Sequence, residues 1–324
     1  MLSRPDAKRV EAAMTTRDVP ISDEALRAHF DRVMARRKAR VSFDRFEQAS
    51  IENDGVRLHL DVIAAAEGRP SIVFIPGTSV YGLTFGNFLA AVADRGVNVV
   101  SVDPRGHGRS GGPRGSYTVP ELVSDARAAI RYAKARFKGQ IFVCGSSQGG
   151  VAAFYTAATD AELAGAICHN AADLADPGNF ELTDRPKLAR ALRPLTLGLA
   201  ALAPELPINT ARYYALLSRG DSLIKQRLAE DPLSLKVIRL KALASLATAK
   251  LERPVEAIRT PILLLHGGED RIFPRAFIER LYARLTCPKT LKIYDGLGHF
   301  LVTEEVDAIL PDILAFIEER RMAS

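Results

Sequence analysis

Gly145-Ser146-Ser147-Gln148-Gly149 joins two segments of different character. Ile141-Phe142-Val143-Cys144, just before it, is a short apolar run of the kind that forms a buried strand. Val151 to Ala158, just after it, is rich in small residues and reads as a helix. A serine between two glycines at a strand-to-helix junction has a mechanical meaning. The tight turn pushes one hydroxyl out beyond the sheet, and Gly145 and Gly149 let neighbouring backbone crowd in around it. The amide of Gln148 then lies at the helix N-terminus, where it can donate to a developing oxyanion. Ser147 is the candidate nucleophile.

Upstream, the chain alternates strands and helices. Residues 1 to about 20 show no periodicity and read as a loose tail. Ser22-Asp23-Glu24 caps a helix that carries Leu26, Phe30, Val33 and Arg37, with Arg36, Lys38 and Arg40 near its end. This helix is expected to dock on the main domain. Peripheral membrane contact through its basic face is the other reading. Asn53-Asp54-Gly55 separates two strand-like runs and predicts a hairpin. Ser71 to Ile75 is a strand ending in Pro76-Gly77-Thr78. Val97 to Val102 is another, and it runs into Asp103-Pro104-Arg105-Gly106-His107-Gly108-Arg109-Ser110. A helix over about 120–137 precedes the nucleophile strand, and Gly165 to Cys168 follows the nucleophile helix. This alternation predicts βαβ units and a mostly parallel sheet flanked by helices, an α/β fold.

After Asn170 the pattern changes. Residues 172 to 255 show only helical or irregular segments, cut by Pro186, Pro194, Pro204 and Pro207. This stretch reads as an inserted, all-helical cap. Its apolar segment 195–203 is a candidate lining for an acyl chain or, equally, the cap's own core. Strand and helix alternation resumes at Pro261. The expected organisation is therefore a tail and helix over 1–45, a core over 46–171, a cap over 172–255 and the rest of the core over 256–324.

A serine hydroxyl needs a base to take its proton, and the base needs an acid to orient it. Beyond Ser147, a strand over 261–265 leads into His266-Gly267-Gly268-Glu269-Asp270, and one over 291–294 leads into Asp295-Gly296-Leu297-Gly298-His299. Asp270 and His299 thus sit just after neighbouring strands, where open α/β sheets place their ligands. Glu269 competes with Asp270, but the spacing from Gly267 and the Pro274 that follows favour Asp270. His107, His169 and His266 are expected to be packed histidines, the last two bonded to backbone, with Asp103 pinning its own loop.

Together these pieces resemble a serine hydrolase of the α/β-hydrolase superfamily. The chain is most similar to the capped esterase group that includes monoacylglycerol lipases and lysophospholipases. The resemblance covers about 46–171 and 256–320. It implies an α/β-hydrolase fold and hydrolysis of a small-molecule ester of an apolar or acyl-chain type. Ser147 would be the nucleophile, His299 the base and Asp270 the acid, and the backbone amides of Thr78 and Gln148 the oxyanion donors. No metal or organic cofactor is expected. Members often have His-Gly where this chain has Pro76-Gly77, which removes a side chain that could orient the loop. The same motif set serves proline-iminopeptidase-type aminopeptidases, for which Glu181, Asp184 and Glu205 would be amine-binding candidates. It also serves acyltransferases, and a fold that only binds is the remaining alternative.

The bulk numbers agree with a soluble enzyme. The 324 residues are 47% hydrophobic and 25% charged, with a net charge of +6 and no basic patch interleaved with aromatics, so nucleic-acid binding is not expected. Cys144, Cys168 and Cys287 form no metal-ligand spacing. With no leader-like N-terminus, a cytoplasmic location is expected. Oligomeric state leaves no mark.

Overall fold

The computed structural model describes residues 21–159, 162–176, 178, 186–212 and 230–322. The tail read over 1–20, and Glu181 and Asp184, lie outside the described residues. An eight-stranded sheet runs in the order β1-β2-β4-β3-β5-β6-β9-β10. Its strands are β1 (Glu47–Asn53), β2 (Val56–Ile63), β3 (Ser71–Ile75), β4 (Asn98–Val102), β5 (Ile141–Ser146), β6 (Gly165–His169), β9 (Ile262–Gly267) and β10 (Lys289–Tyr294). β2 pairs antiparallel with both β1 and β4, and every other pairing is parallel. The mostly parallel sheet flanked by helices is therefore present. Asp54 and Gly55 both have positive φ, 50° and 73°, as a tight two-residue hairpin turn requires.

β3, β4, β5, β6 and β9 are buried along their whole length, which is why they read as continuous apolar runs rather than alternating ones. On one face pack α3 (Val119–Phe137), α4 (Gln148–Thr159) and α7 (Arg275–Arg284), covering Val73, Val143 and Leu264. On the other pack α1 (Asp23–Arg36), α2 (Gly86–Ala93) and α9 (Val306–Met322), covering Ile72, Phe74 and Phe142. α8 (Leu301–Glu304) is a single turn between the β10 loop and α9.

α1 docks as its capping residues and spacing predict. Ser22 Oγ accepts from the Ala25 amide at 3.2 Å, and Leu26, Phe30 and Met34 are buried. Phe30 lies edge-on to Phe43 and Phe46. Its ring also occupies the space that a side chain at Gly86 would need.

Between β6 and β9 the structure departs from the all-helical reading in two ways. α5 (Pro186–Leu202) continues through Pro194, so that proline does not end the helix. A two-stranded antiparallel ribbon, β7 (Pro207–Asn209) with β8 (Val237–Arg239), is present, followed by α6 (Leu240–Leu246). The ribbon was illegible because each strand is too short to show alternation and its partner is distant in sequence. The apolar segment 195–203 is mostly exposed rather than a sealed core: Leu195 is 69% and Leu202 87% exposed, and only Ala200 is buried. No helix among the described residues is long and apolar enough to cross a membrane.

Candidate active site

Ser147 sits between the end of β5 and the start of α4, with φ at +57°. A non-glycine residue reaches this left-handed region only when its surroundings hold it there. Here the Ser147 amide donates to the His169 carbonyl at 2.9 Å, and the Ser147 carbonyl accepts from Val151 at 3.0 Å. A Cβ at Gly145 would lie 2.0 Å from the Gly149 carbonyl oxygen, and one at Gly149 would lie 2.0 Å from that of Ile75. Gly145 lets the end of β5 close on the first turn of α4, and Gly149 lets that turn jam against the tip of β3. Gly77 faces the turn from that tip, since a Cβ there would stand 3.5 Å from the Ser147 Cβ.

The loops after β9 and β10 bring Asp270 and His299 to this turn. His299 Nε2 is 3.1 Å from Ser147 Oγ, and His299 Nδ1 is 2.8 Å from Asp270 Oδ2. Asp270 Oδ1 accepts from the amides of Ile272 and Phe273 at 2.7 and 3.0 Å. Burial pushes the Asp270 carboxyl up, but His299 beside it and the Phe273 amide outweigh this and hold it well below the usual carboxylate range. Glu269, the competitor, is exposed. Phe273 stacks parallel to the His299 ring at 6.2 Å.

Thr78 and Gln148 also meet. Thr78 Oγ1 donates to Gln148 Oε1 at 2.8 Å, and Tyr117 Oη donates to the same oxygen at 3.0 Å. This tie crosses between the loop after β3 and the first turn of α4, so it fixes one backbone relative to the other. Asp103 pins the same loop from below, accepting from the amides of Gly82 and Arg109 at 2.8 and 2.9 Å. His107 is buried against Tyr117 and bonds the Arg105 carbonyl at 3.0 Å.

His169 and His266 are buried as expected, but their Nδ1 atoms bond side chains, not backbone. His169 Nδ1 lies 2.9 Å from Ser146 Oγ, and His266 Nδ1 lies 2.9 Å from Asn170 Oδ1. Burial pushes His169 down to about 3, with His299 adding to the effect, and it lowers His266 too. Asn170, which the sequence reading passed over, is the hub. Its Nδ2 donates to Asp270 Oδ2 at 3.0 Å and lies 3.2 Å from His299 Nδ1. The available signal was its place just past the end of a central strand, level with the nucleophile turn.

His169, Asp270 and His299 are close enough to hold a metal ion, as are His59, Asp61 and Asp103. In each set these groups already bond one another or nearby donors. His299 bonds Asp270 and Ser147, and Asp61 pairs with Arg109.

A cavity of about 320 Å³ opens on Ser147 and His299. That is the size of a small-ligand pocket. Its lining is dominated by apolar groups, among them Val80, Leu83, Phe85, Phe300 and Val302. One wall is α1, through His29, Phe30, Val33, Arg36 and Arg37, which the sequence reading treated only as a docked helix. Between β6 and β9 the described lining consists only of Glu230, Asp231 and Ser234.

The chain is similar to several characterised proteins along most of its length. It is 27% identical over 287 residues to a monoacylglycerol lipase of Mycolicibacterium smegmatis, covering 86% of this chain and 98% of the relative. It is 24% identical over 276 residues to a non-heme chloroperoxidase of Streptomyces lividans, covering 82% and 98%. Among solved structures, a monoacylglycerol lipase of Paleococcus ferrophilus superposes with a TM-score of 0.64 at 24% identity, covering 84% of this chain and 99% of that one. A soluble variant of the Saccharomyces cerevisiae monoglyceride lipase does so with a TM-score of 0.67 at 20% identity, covering 85% and 94%. The family model described as serine aminopeptidase, S33, matches residues 66–306, a span that holds the nucleophile turn and the loops bearing Asp270 and His299. The chain belongs to this family of α/β-hydrolases.

Proposed function

We propose that the protein hydrolyses carboxylic esters with an apolar acyl part, through an acyl-enzyme on Ser147. The observation that carries this reading is the relay Ser147–His299–Asp270 at the foot of a mainly apolar cavity. Ser147 Oγ attacks the ester carbonyl while His299 Nε2 takes its proton. The amides of Thr78 and Gln148 bind the oxyanion, an interaction worth about 10²–10³ in rate per donor in such sites. His299 then protonates the leaving alcohol, and water repeats the sequence on the acyl-enzyme. Asp270, held ionised, fixes the imidazole tautomer and stabilises the cation that forms. The substrate is a small molecule and the expected setting is the cytoplasm.

The pocket weighs against an aminopeptidase. An α-amine needs a carboxylate left over to grip it. Glu230, Asp231 and Glu304 line the cavity, but each already faces a partner: the Arg36 guanidinium at 2.6 Å, the His29 imidazole at 3.6 Å and the Arg37 guanidinium at 3.2 Å. Glu205 is taken up by Ser116 and Lys241 and is not among the lining residues. The resemblance to lipases of similar length supports the ester reading. The test is hydrolysis of p-nitrophenyl esters combined with fluorophosphonate labelling. The parent is expected to turn over and to be labelled at Ser147, and Ser147→Ala is expected to lose at least about 10³-fold in kcat with no adduct. Parent-level turnover by Ser147→Ala would overturn the mechanism.

A further inference from the structure

α1 has two working faces. Leu26, Phe30 and Met34 recur every fourth residue and are buried against the sheet side of the core. His29, Val33, Arg36 and Arg37 recur on the adjoining stripe and line the cavity that opens on Ser147. The helix lies outside the span matched by the family model, which begins at residue 66.

Two ion pairs and one histidine–carboxylate contact hold the wall against its neighbours. Arg36 Nη1 reaches Glu230 at 2.6 Å, and His29 Nε2 stands 3.6 Å from Asp231, both on the segment that leads into β8. Arg37 Nε reaches Glu304 at 3.2 Å, in the turn that follows His299, and Arg37 Nη1 donates to the Thr84 carbonyl at 2.6 Å. Arg36 and Glu230 are the most exposed of these groups, which puts that pair at the rim. Arg36 and Arg37, the arginines on this wall, are therefore each met by a carboxylate. On this helix the half-buried apolar member of the wall is Val33.

We infer that α1 is the specificity-determining wall for the acyl chain, and that the size of the side chain at Val33 sets how long a chain the cavity admits. This rests on the ester-hydrolase reading above and goes beyond it by assigning substrate choice to a helix outside the catalytic core and outside the β6–β9 insertion. Phe30 is the anchor that places the wall, pinned between Phe43, Phe46 and Gly86. Val33, one turn on, is half-buried: it packs at the edge of the same core cluster and also lines the cavity. Apolar discrimination of this kind is worth about fourfold per methylene buried or excluded, so a change of several methylenes in cavity length reads out clearly.

The experiment compares kcat/KM for p-nitrophenyl decanoate and p-nitrophenyl acetate in the full chain, for the parent, Val33→Phe and Val33→Ala, with thermal denaturation as the check on folding. Val33→Phe is expected to lower the decanoate-to-acetate ratio at least about tenfold, and Val33→Ala to raise it. A ratio that stays within about twofold of the parent in both folded variants overturns the assignment. Calorimetric titration with sodium decanoate separates this outcome from failure of the ester reading. If the parent hydrolyses neither ester yet binds decanoate, and Val33→Phe loses that binding, the wall stands and the reaction falls. If the parent binds no decanoate, the wall falls.

Discussion

Asn170 carries no charge and no nucleophile, yet it joins more of the site than any other buried side chain described. Its conformation is forced: φ is +62°, and the residue is fully buried at the tip of β6. From there it donates to Asp270, accepts from His266 and lies beside His299 Nδ1, so the loops after β9 and β10 meet at one amide. Asn170→Ala is expected to leave His266 without an acceptor and Asp270 with one donor fewer, costing about 1–3 kcal/mol of stability. With His299 less firmly placed, kcat is expected to fall roughly ten- to a hundredfold while KM moves little. Steady-state kinetics beside urea unfolding check both halves. Ser147, His299 and Asp270 could be picked out because their chemistry is rare and their order along the chain is telling. Asn170 could not, because an amide earns its role only from what the fold sets beside it.

At the scale of elements, the strands and the hairpin were legible and the additions were not. A buried parallel strand announces itself as a run of apolar residues, and Asn53-Asp54-Gly55 announces a turn through its left-handed backbone. The β7–β8 ribbon depends on pairing across residues far apart, and Pro194 gave a local stop signal that α5 overrides. α1 was legible as a docked helix but not as a pocket wall, because its spacing shows which face is apolar and not what the adjoining face meets. Its docking matters for stability too. Leu26, Phe30 and Met34 each remove a large apolar side chain from water, at about 1.5–3 kcal/mol apiece. Their sum is comparable with the net stability of a whole domain, about 5–15 kcal/mol. A chain starting at residue 41 is therefore expected to melt far lower than the parent or to aggregate on expression. Thermal denaturation with light scattering checks this, and an unchanged midpoint would show that α1 contributes nothing to the fold.

For the molecule as a whole, the buried histidines set a direction of pH dependence. Burial pushes His107 down to about 4 and His169 to about 3, from 6.5 in the open chain. As pH falls below about 6.5, the unfolded chain takes up these protons while the folded one refuses them. Stability is full above that pH and is lost as acidity rises, by about 1.4 kcal/mol per pH unit for each such histidine until its folded value is reached. Asp270 acts in the same sense at lower pH, because its carboxyl stays ionised in the fold when the unfolded chain has already protonated. Urea unfolding at pH 7 and pH 5 is expected to show the loss, and His107→Gln, away from the relay, is expected to reduce the slope by about one proton.

The link between Arg37 and Glu304 has a consequence of another kind. The two residues are separated by 267 positions, one near the start of the chain and one just after His299. On the ribosome α1 emerges long before the surface that completes its wall and before His299. The apolar groove between them stays open throughout synthesis and shuts only when the C-terminal strands add to the sheet. A nascent chain thus carries this apolar surface unfilled across the 267 positions between the two partners, and that interval is when it most needs a chaperone's cover.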